Sequence, residues 1–435
     1  MSVETCVLFD ESVVKGIAAK TQEPAWMLNA RLEALKDIPN LPLPKLERTN
    51  IDRWNFTNFT PFTEEAAIGS LTELPEDVQE FIFDNEQAHV MVQKNGSVIF
   101  RRLGDDLAEQ GVLFTDLASA ARENEALVKK FFMTDGIKRD EHRLSALHAA
   151  LNSGGVFLYV PRNVEVKVPI QGLFWLAGEK AAMMPHIIIV AEANSRIDFV
   201  ANFIARPGDE AAFNNSAIEV FVSDGARVRV ATVSSLGKET VDVIYRRSLV
   251  SRDGQLEWIV ADLSEGRVIS DNTTHLKGEG GTVNVKTVVL GTDEMRANVT
   301  SSIHHWGRHT ASDINARSVM KDSATSILNS ITKIEKGASK SDGQQSGKVL
   351  MLSPDARGDA NPILLIDEND VTAGHAASVG RIDPTQLYYL MSRGISRREA
   401  EKLIIRGFLD AVVSQIPSES LQASIHRLIE RKLQS

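Results

Sequence analysis

Apolar residues recur at helical spacing in the first third of the chain. Three stretches show this period, near residues 25–35, 115–132 and 140–151, and such spacing is typical of a helix that buries one face. Two adjacent glycines follow the last stretch and supply a common helix stop. The pattern therefore predicts a mostly helical N-terminal domain over residues 1–155.

After residue 155 the period changes from helical to alternating. Residues 164–168, 227–230 and 282–286 each alternate apolar and polar side chains, which predicts strands that bury one face. Glycine-containing turn signals recur between such stretches roughly every 26–29 residues. They stand at Asp224-Gly225, Asp253-Gly254, Gly280-Gly281 and Trp306-Gly307. We therefore predict a β-rich core domain over residues 156–380.

The sequence predicts no helices between the strands of this core, and this limits the folds that the core can adopt. Helical patterns long enough for crossover connections do not occur between the predicted strands, which excludes a doubly wound sheet. A sandwich, a barrel and a β-solenoid remain. The regular turn spacing fits successive coils of a β-helix, a repeat architecture in which one domain grows along an axis and accommodates a chain of 435 residues.

Helix signals return after residue 380. Asp383 is a favourable N-cap with Pro384 at the first helical position, and Ser396 begins a capping-box pattern before an apolar helix. A last amphipathic segment follows Pro417. We predict a helical C-terminal domain over residues 381–435.

Composition and charge exclude several classes of protein. The formal net charge of −10 and the lack of a basic stripe argue against nucleic-acid binding. No apolar run is long enough to predict a membrane span. Cys6 is the single cysteine, which rules out an intramolecular disulfide and is interpreted as an incidental thiol. With no signal-peptide pattern, we expect a cytoplasmic location.

Signatures of catalysis are missing from the sequence. Residues 343–349 lack the spacing and the hydroxyl of a phosphate-binding loop, and residues 278–281 precede a strand, unlike a dinucleotide fingerprint. We therefore expect no enzymatic activity. The alternative of a polysaccharide-cleaving solenoid would need clustered carboxylates, for which Asp262, Glu265 and Asp271 are candidates by position only.

The histidines offer two candidate metal sites. His304, His305 and His309 form the densest group, but adjacent strand residues point to opposite faces, which favours surface or packing roles. His375 lies among small residues, which allow another backbone or a ligand to approach closely. From the residues alone, a structural role for His375 and a ligand role both stay open.

Long motifs near both ends resemble one known family. At the C-terminal end they are Arg357-Gly358-Asp359-Ala360-Asn361-Pro362-Ile363-Leu364-Leu365-Ile366-Asp367, Gly380-Arg381-Ile382-Asp383, Leu387-Tyr388-Tyr389-Leu390, Ser392-Arg393-Gly394-Ile395 and Arg406-Gly407-Phe408. At the N-terminal end they are Glu23-Pro24-Ala25-Trp26-Met27, Leu41-Pro42-Leu43-Pro44 and Trp54-Asn55-Phe56. Together they resemble the SufB/SufD proteins of the SUF iron–sulfur cluster assembly system, and in particular its SufD members from Gram-positive bacteria.

The resemblance implies a fold and partners. The fold would be mainly β, with a right-handed parallel β-helix (β-solenoid) core flanked by helical N- and C-terminal domains. The chain would be a non-catalytic scaffold that pairs with a SufB-like subunit and docks a SufC-like ATPase in a SufBCD complex. A purely structural homodimer without a metal role is the alternative.

The resemblance also implies site residues. His375 aligns with the family histidine at the SufB interface and is a candidate iron or cluster ligand shared with that partner. Ala376 stands where SufB has Glu, and no cysteine lies near the strands, which favours the SufD role. Because clusters are held mostly by cysteine thiolates, we expect a nascent cluster to be shared and not held by this chain alone. Flavin binding stays open.

Partner contacts are expected in the C-terminal helices. The candidates are Tyr388, Tyr389, Arg393 and Phe408, although the aromatic residues fit core packing equally well.

Overall fold

The computed structural model describes residues 9–83, 88–416 and 419–434. In these residues ten α-helices, α1 to α10, occur in chain order at Glu11–Thr21, Ala25–Asp37, Glu76–Gln79, Asp105–Glu109, Leu117–Glu123, Glu125–Phe131, Arg143–Leu151, Pro384–Ser392, Arg397–Val413 and Glu419–Gln434. Short 3-10 helices occur at Ile38–Asn40 and Leu71–Glu73.

Twenty strands make up most of the fold. In chain order, β1 to β20 are His89–Lys94, Ser97–Arg102, Leu113–Asp116, Gly155–Val160, Ile170–Trp175, Ala182–Met183, His186–Ala191, Arg196–Ile204, Phe213–Val222, Arg227–Ser235, Val241–Val250, Gln255–Asp262, Arg267–Leu276, Thr282–Gly291, Arg296–His305, Ala311–Met320, Thr325–Ile334, Asp342–Met351, Arg357–Ile366 and Thr372–Arg381.

The strands form two facing sheets of one solenoid. The first sheet runs in the order β2-β1-β5-β8-β10-β12-β14-β16-β18-β20, and the second runs β19-β17-β15-β13-β11-β9-β7-β4-β3, with β6 paired to β9. Pairing is parallel except between β1 and β2 and between β3 and β4. The result is a parallel β-solenoid of about eight turns with helices towards both chain ends, which confirms the predicted fold class.

The glycine period in the sequence reflects one corner of this solenoid. Residues with a left-handed backbone stack there in successive coils, at Asn163, Asn194, Gly225, Asp253, Gly280, His309 and Lys340. Each donates its backbone N–H to a carbonyl of the next coil, as in Gly225 to Arg252 at 2.9 Å. A left-handed residue satisfied in this way turns the chain tightly while it keeps the coils in register.

The helices cover the outer faces of the two sheets. Leu144 and Leu147 of α7 pack with Val241 and Val243 on the second sheet. Helices α9 and α10 pack on the first sheet, where Leu409 belongs to one apolar cluster with outward-facing residues of β8 to β18. The apolar face of each helix is therefore buried against a sheet, as amphipathic helices require.

The N-terminal segment is less helical than its pattern predicts. Helix α2 is confirmed, but the predicted helix over 115–132 is preceded by β3 and is interrupted at Asn124. Strand β1 also joins the first sheet, in parallel with β5. Its residues are buried on both faces, and such strands lack the alternation that identifies a half-buried strand. The domain boundaries stay a prediction.

The C-terminal helices begin where the sequence predicts. The Asp383 carboxylate accepts the Thr385 N–H at 2.8 Å, and the Ser396 hydroxyl accepts the Glu399 N–H at 3.3 Å. The last helix spans Glu419–Gln434. The predicted break at Pro417 lies outside the described residues.

Candidate functional site

The last coil of the solenoid is uncovered. Strands β19 and β20 are the terminal strands of their sheets, and within the described ranges neither pairs with a strand on its outer edge. Apolar side chains are exposed there, including Leu365 at 48% and Val379 at 46% exposure. An unpaired edge with exposed apolar residues is a template for pairing with another chain.

His375 ends a row of inward-facing residues. The register joins Trp258 to Val285, Val285 to Ile314, Ile314 to Gln345 and Gln345 to His375 on neighbouring parallel strands of the first sheet. The first four side chains are buried between the sheets. His375 is exposed because no further coil covers it. The imidazole therefore occupies a core position at the open end of the solenoid.

The row of inward-facing residues changes from apolar to polar at Gln345, one strand before His375. The Gln345 Nε2 donates to the Thr332 hydroxyl at 2.7 Å and to the Ile363 carbonyl at 3.2 Å. These partners lie on β17 and β19 of the facing sheet, so the Gln345 side chain crosses the solenoid interior. Its Oε1 is buried and, within residues 9–83, 88–416 and 419–434, has no hydrogen-bond partner.

Two acidic residues near His375 are engaged elsewhere. Glu368 accepts the backbone N–H groups of Gly337 at 2.9 Å and Asn369 at 2.8 Å, and the Gly337 bond is the main reason that its pKa is lowered to about 2. Asp370 pairs with Lys340 at 2.9 Å. Among the residues that the structure describes, no group of three or more histidine, cysteine or acidic side chains is placed to hold a metal ion.

The predicted partner-binding residues lie on α8 and α9 or just after α8. Tyr388 and Tyr389 are 73% and 57% exposed, and the Arg393 guanidinium stacks 5.3 Å from the centre of the Tyr389 ring. Phe408 is half-buried against the helix–sheet core, and the Arg317 guanidinium lies 5.2 Å from its ring centre. The tyrosines are available to a partner, whereas Phe408 is largely committed to packing. Their roles in binding stay predictions.

The other histidines take the positions that alternation predicts. His305 is buried and bonds to Thr310 and Ser312, each at 2.8 Å, and burial lowers its pKa to about 4. His304 lies on the opposite face, where its ring packs 4.9 Å from that of His275. The two imidazoles therefore do not converge on one point. Cys6 lies outside the described residues.

The carboxylates considered for polysaccharide cleavage do not form one site. Asp262 is sealed in the solenoid interior, 3.8 Å from the Arg246 guanidinium, and desolvation raises its pKa to about 6. Asp271 pairs with Arg247 at 2.8 Å on the outer face, and Glu265 is exposed at a turn. These positions give no cluster of carboxylates around a groove.

Sequence reasoning missed Gln345, Leu365 and Val379 as parts of this site. A signal exists for Leu365, since residues 363–366 are a continuous apolar run in a strand whose neighbours alternate. Such a run predicts burial on both faces, which this chain alone does not provide. Gln345 carries no sequence signal, because its place beside His375 follows from the coil register.

The architecture defines a β-solenoid protein with a helical layer on each outer face and an uncovered last coil. Among the described residues, no helix is long and apolar enough to cross a membrane.

Comparison with known proteins identifies the family. Residues 174–408 match the SUF system FeS cluster assembly SufBD core domain, and residues 17–172 match the SufBD protein N-terminal region. The iron–sulfur cluster assembly protein SufD of Bacillus subtilis (strain 168) is 46% identical over the whole of both chains. SufBD family proteins of Staphylococcus saprophyticus and Staphylococcus haemolyticus are each 27% identical, over 98% of this chain and 93% of theirs. The chain belongs to the SufBD family of iron–sulfur cluster assembly proteins.

Proposed function

We propose that this chain is a non-catalytic scaffold subunit that works in the cytoplasm. In this proposal it pairs with a SufB-like subunit through the open end of its solenoid and docks a SufC-like ATPase through its C-terminal helices. A nascent iron–sulfur cluster, which is the cargo of the complex, forms at the boundary with the SufB-like subunit. The observation that carries the proposal is the inward-facing His375 on an uncovered last coil.

The open end supports pairing with another solenoid. A parallel sheet is normally buried on both faces, and here the last coil leaves Leu365, Ile366 and Val379 in solvent. A partner strand placed beside β19 or β20 would satisfy the free backbone groups and cover these side chains. A relative with the same fold offers a complementary edge, which favours a SufB-like chain as the partner.

The donor atoms of this chain support a shared site. Iron–sulfur clusters are held mostly by cysteine thiolates, sometimes together with histidine. The chain has one cysteine, at position 6, and His375 is the candidate ligand at the open end. One imidazole supplies one coordination position, so the remaining ligands must come from the partner or from bound sulfide.

The C-terminal helices support a separate docking surface. Tyr388, Met391 and Leu403 are exposed on α8 and α9, on the part of the chain that follows the last strand. Leu387 and Met391 line a groove of about 450 Å³ between α8 and the solenoid. Exposed aromatic and methionine side chains are favoured at protein interfaces. A surface on these helices leaves the strand edges free for the SufB-like subunit.

Co-expression with SufB-like and SufC-like chains tests the proposal. His375→Ala should co-purify with both partners at wild-type yield, because His375 is exposed and supports no core packing, while iron and sulfide in the complex fall sharply. His309→Ala, at an exposed corner of the solenoid, is the matched control and should leave iron and sulfide unchanged. Wild-type cluster content in the His375→Ala complex would contradict the shared-ligand role. Recovery of a homodimer without either partner would favour the structural alternative.

A further inference from the structure

Gln345 has a buried acceptor that its own surroundings do not satisfy. Its Nε2 faces the Ile363 carbonyl, which can only accept, so the amide orientation is fixed and Oε1 must point away from that carbonyl. Oε1 is buried and finds no hydrogen-bond partner among the residues that the structure describes. A buried acceptor left without a hydrogen bond destabilises the fold, so such a group calls for a physical reason.

The next residue in the same row is His375. Gln345 and His375 are register partners on β18 and β20, and parallel strands lie about 4.8 Å apart. His375 is flanked by Gly374 and Ala376, and Ala373 and Ala377 share its inward face, so no side chain on this part of β20 offers an acceptor. The Gln345 Oε1 is therefore an unpaired side-chain acceptor at the register position next to His375.

We propose that Gln345 is a positioning residue for His375. In this proposal the exposed His375 ring turns so that its Nδ1–H donates to the Gln345 Oε1, a hydrogen bond that the structure itself does not contain. The bond fixes the tautomer and leaves the Nε2 lone pair free for iron. Nδ1 is the ring nitrogen nearer the backbone of β20, the strand that pairs with the Gln345 strand, and a bond at Nδ1 leaves Nε2 at the far side of the ring unbonded. Metal-binding histidines commonly donate their other ring N–H in this way, and loss of that bond typically weakens metal binding 10–100-fold.

This inference rests on the proposed function, but its first test needs neither iron nor a partner. The full chain is labelled with ¹⁵N-histidine, the His375 signals are assigned by their loss in His375→Ala, and the ring nitrogens are compared at alkaline pH, where histidine is neutral. The wild type should carry its proton on Nδ1. Gln345→Met, which is similar in length and lacks the acceptor, should shift the population to the Nε2–H form that unconstrained histidine favours.

Three further variants complete the test. Gln345→Leu is a second acceptor-free variant for use if Gln345→Met fails to fold, and Gln345→Glu keeps an acceptor oxygen and should keep Nδ1–H. Gln344→Met is the matched control, because Gln344 is the neighbouring glutamine on the opposite face and should leave the tautomer unchanged. A wild-type chain in the Nε2–H form, or an unchanged tautomer in the acceptor-free variants, would overturn the inference.

Iron binding by the complex with the SufB-like chain gives the second readout. Gln345→Met should weaken it by about 10–100-fold, while Gln344→Met leaves it unchanged. If His375→Ala lowers iron and Gln345→Met does not, the positioning role is wrong and the shared-ligand role stands. If the tautomer depends on Gln345 but His375→Ala does not lower iron, the proposed function fails while the hydrogen bond stands.

Discussion

Gln345 and His375 are register partners on neighbouring parallel strands and face the interior of the same solenoid, yet only Gln345 is buried. The difference arises because β20 is the last strand of its sheet. A residue type and orientation suited to a core is thus presented at a surface. That combination is expected of an end which another chain covers, and it leads to predictions about the two proposed interfaces.

A charged side chain at the open end of the solenoid should weaken pairing with the SufB-like chain. Leu365→Glu places a carboxylate on the edge strand β19 and should lower recovery of the SufB-like chain at least tenfold, because a buried charge in an interface is costly. Since Leu365 is half-exposed in the isolated chain, the free energy of unfolding should change by only about 0.5 kcal/mol. Pull-down and urea unfolding measure the two effects. Unchanged recovery would contradict pairing through this end.

A charge on the docking surface of the C-terminal helices should weaken binding of the SufC-like ATPase without affecting the SufB-like chain. Leu403 is 50% exposed on α9, so Leu403→Glu matches Leu365→Glu in chemistry and in initial exposure. It should lower recovery of the SufC-like ATPase at least tenfold and leave the SufB-like chain bound. Loss of both partners in either variant, with the fold intact by circular dichroism, would show that the two surfaces are not separate.

Glu219 should contribute strongly to stability, because its carboxylate on β9 forms hydrogen bonds with the segment that follows α6. Its carboxylate accepts the N–H groups of Met133 at 3.0 Å and Ile137 at 2.9 Å, and its Oε2 lies 2.7 Å from the His186 Nε2. Glu219→Leu leaves these buried groups unpaired and should lower the free energy of unfolding by about 3–5 kcal/mol. Urea unfolding measures the change.

Glu239→Leu is the control for that experiment. Glu239 is an exposed acid on a turn, so its replacement should change the free energy of unfolding by only about 0.5 kcal/mol. A loss below about 1 kcal/mol for Glu219→Leu would mean that the hydrogen bonds to Glu219 contribute little net stability.

Lys432 should make stability depend on pH. Its ammonium is buried against the carbonyls of Leu263 and Ser264, and burial lowers its pKa to about 7 in the folded chain. Between pH 7 and about 10 the unfolded chain holds a proton that the folded chain has released. The contribution of Lys432 to the free energy of unfolding therefore rises with pH in this window, by up to about 1.4 kcal/mol per unit, and is constant below it.

Comparison with Lys432→Met isolates this effect from other titrations. Unfolding free energies are measured from pH 7 to 9 for the wild type and for the variant, whose slope should be smaller. Equal slopes would show that the pKa of Lys432 is not lowered in the folded chain.

The sequence predicts local features of this fold better than its long-range ones. Helices α2 and α8 start where Pro24 and Asp383 indicate, because helix starts depend on a few adjacent residues. The strand and turn patterns leave the solenoid as one of three possible folds, and the family resemblance favours it over the other two. The repeat is hard to recognise from glycines alone, because Asp253 and Lys340 take the same left-handed conformation as Gly225 at equivalent turns. Non-glycine residues adopt it when the next coil supplies a hydrogen bond.

In the candidate site, too, the sequence predicts local features better than long-range ones. The family motif points to His375, but neither the inward orientation nor the exposure of His375 follows from the residues around it. Both depend on where the stack of coils ends, which is a property of the whole chain. The partner residue Gln345 lies thirty positions away, as the register places it, and no local pattern links the two.

In the proposed function this chain shares a cluster with the SufB-like subunit and does not hold one alone. The most direct measurement is anaerobic reconstitution of the purified chain with iron and sulfide, followed by gel filtration and analysis of iron and acid-labile sulfide per chain. We expect far less than one cluster per isolated chain, and stoichiometric, His375-dependent loading in the complex with the SufB-like subunit. A stable, stoichiometric cluster on the isolated chain would contradict it.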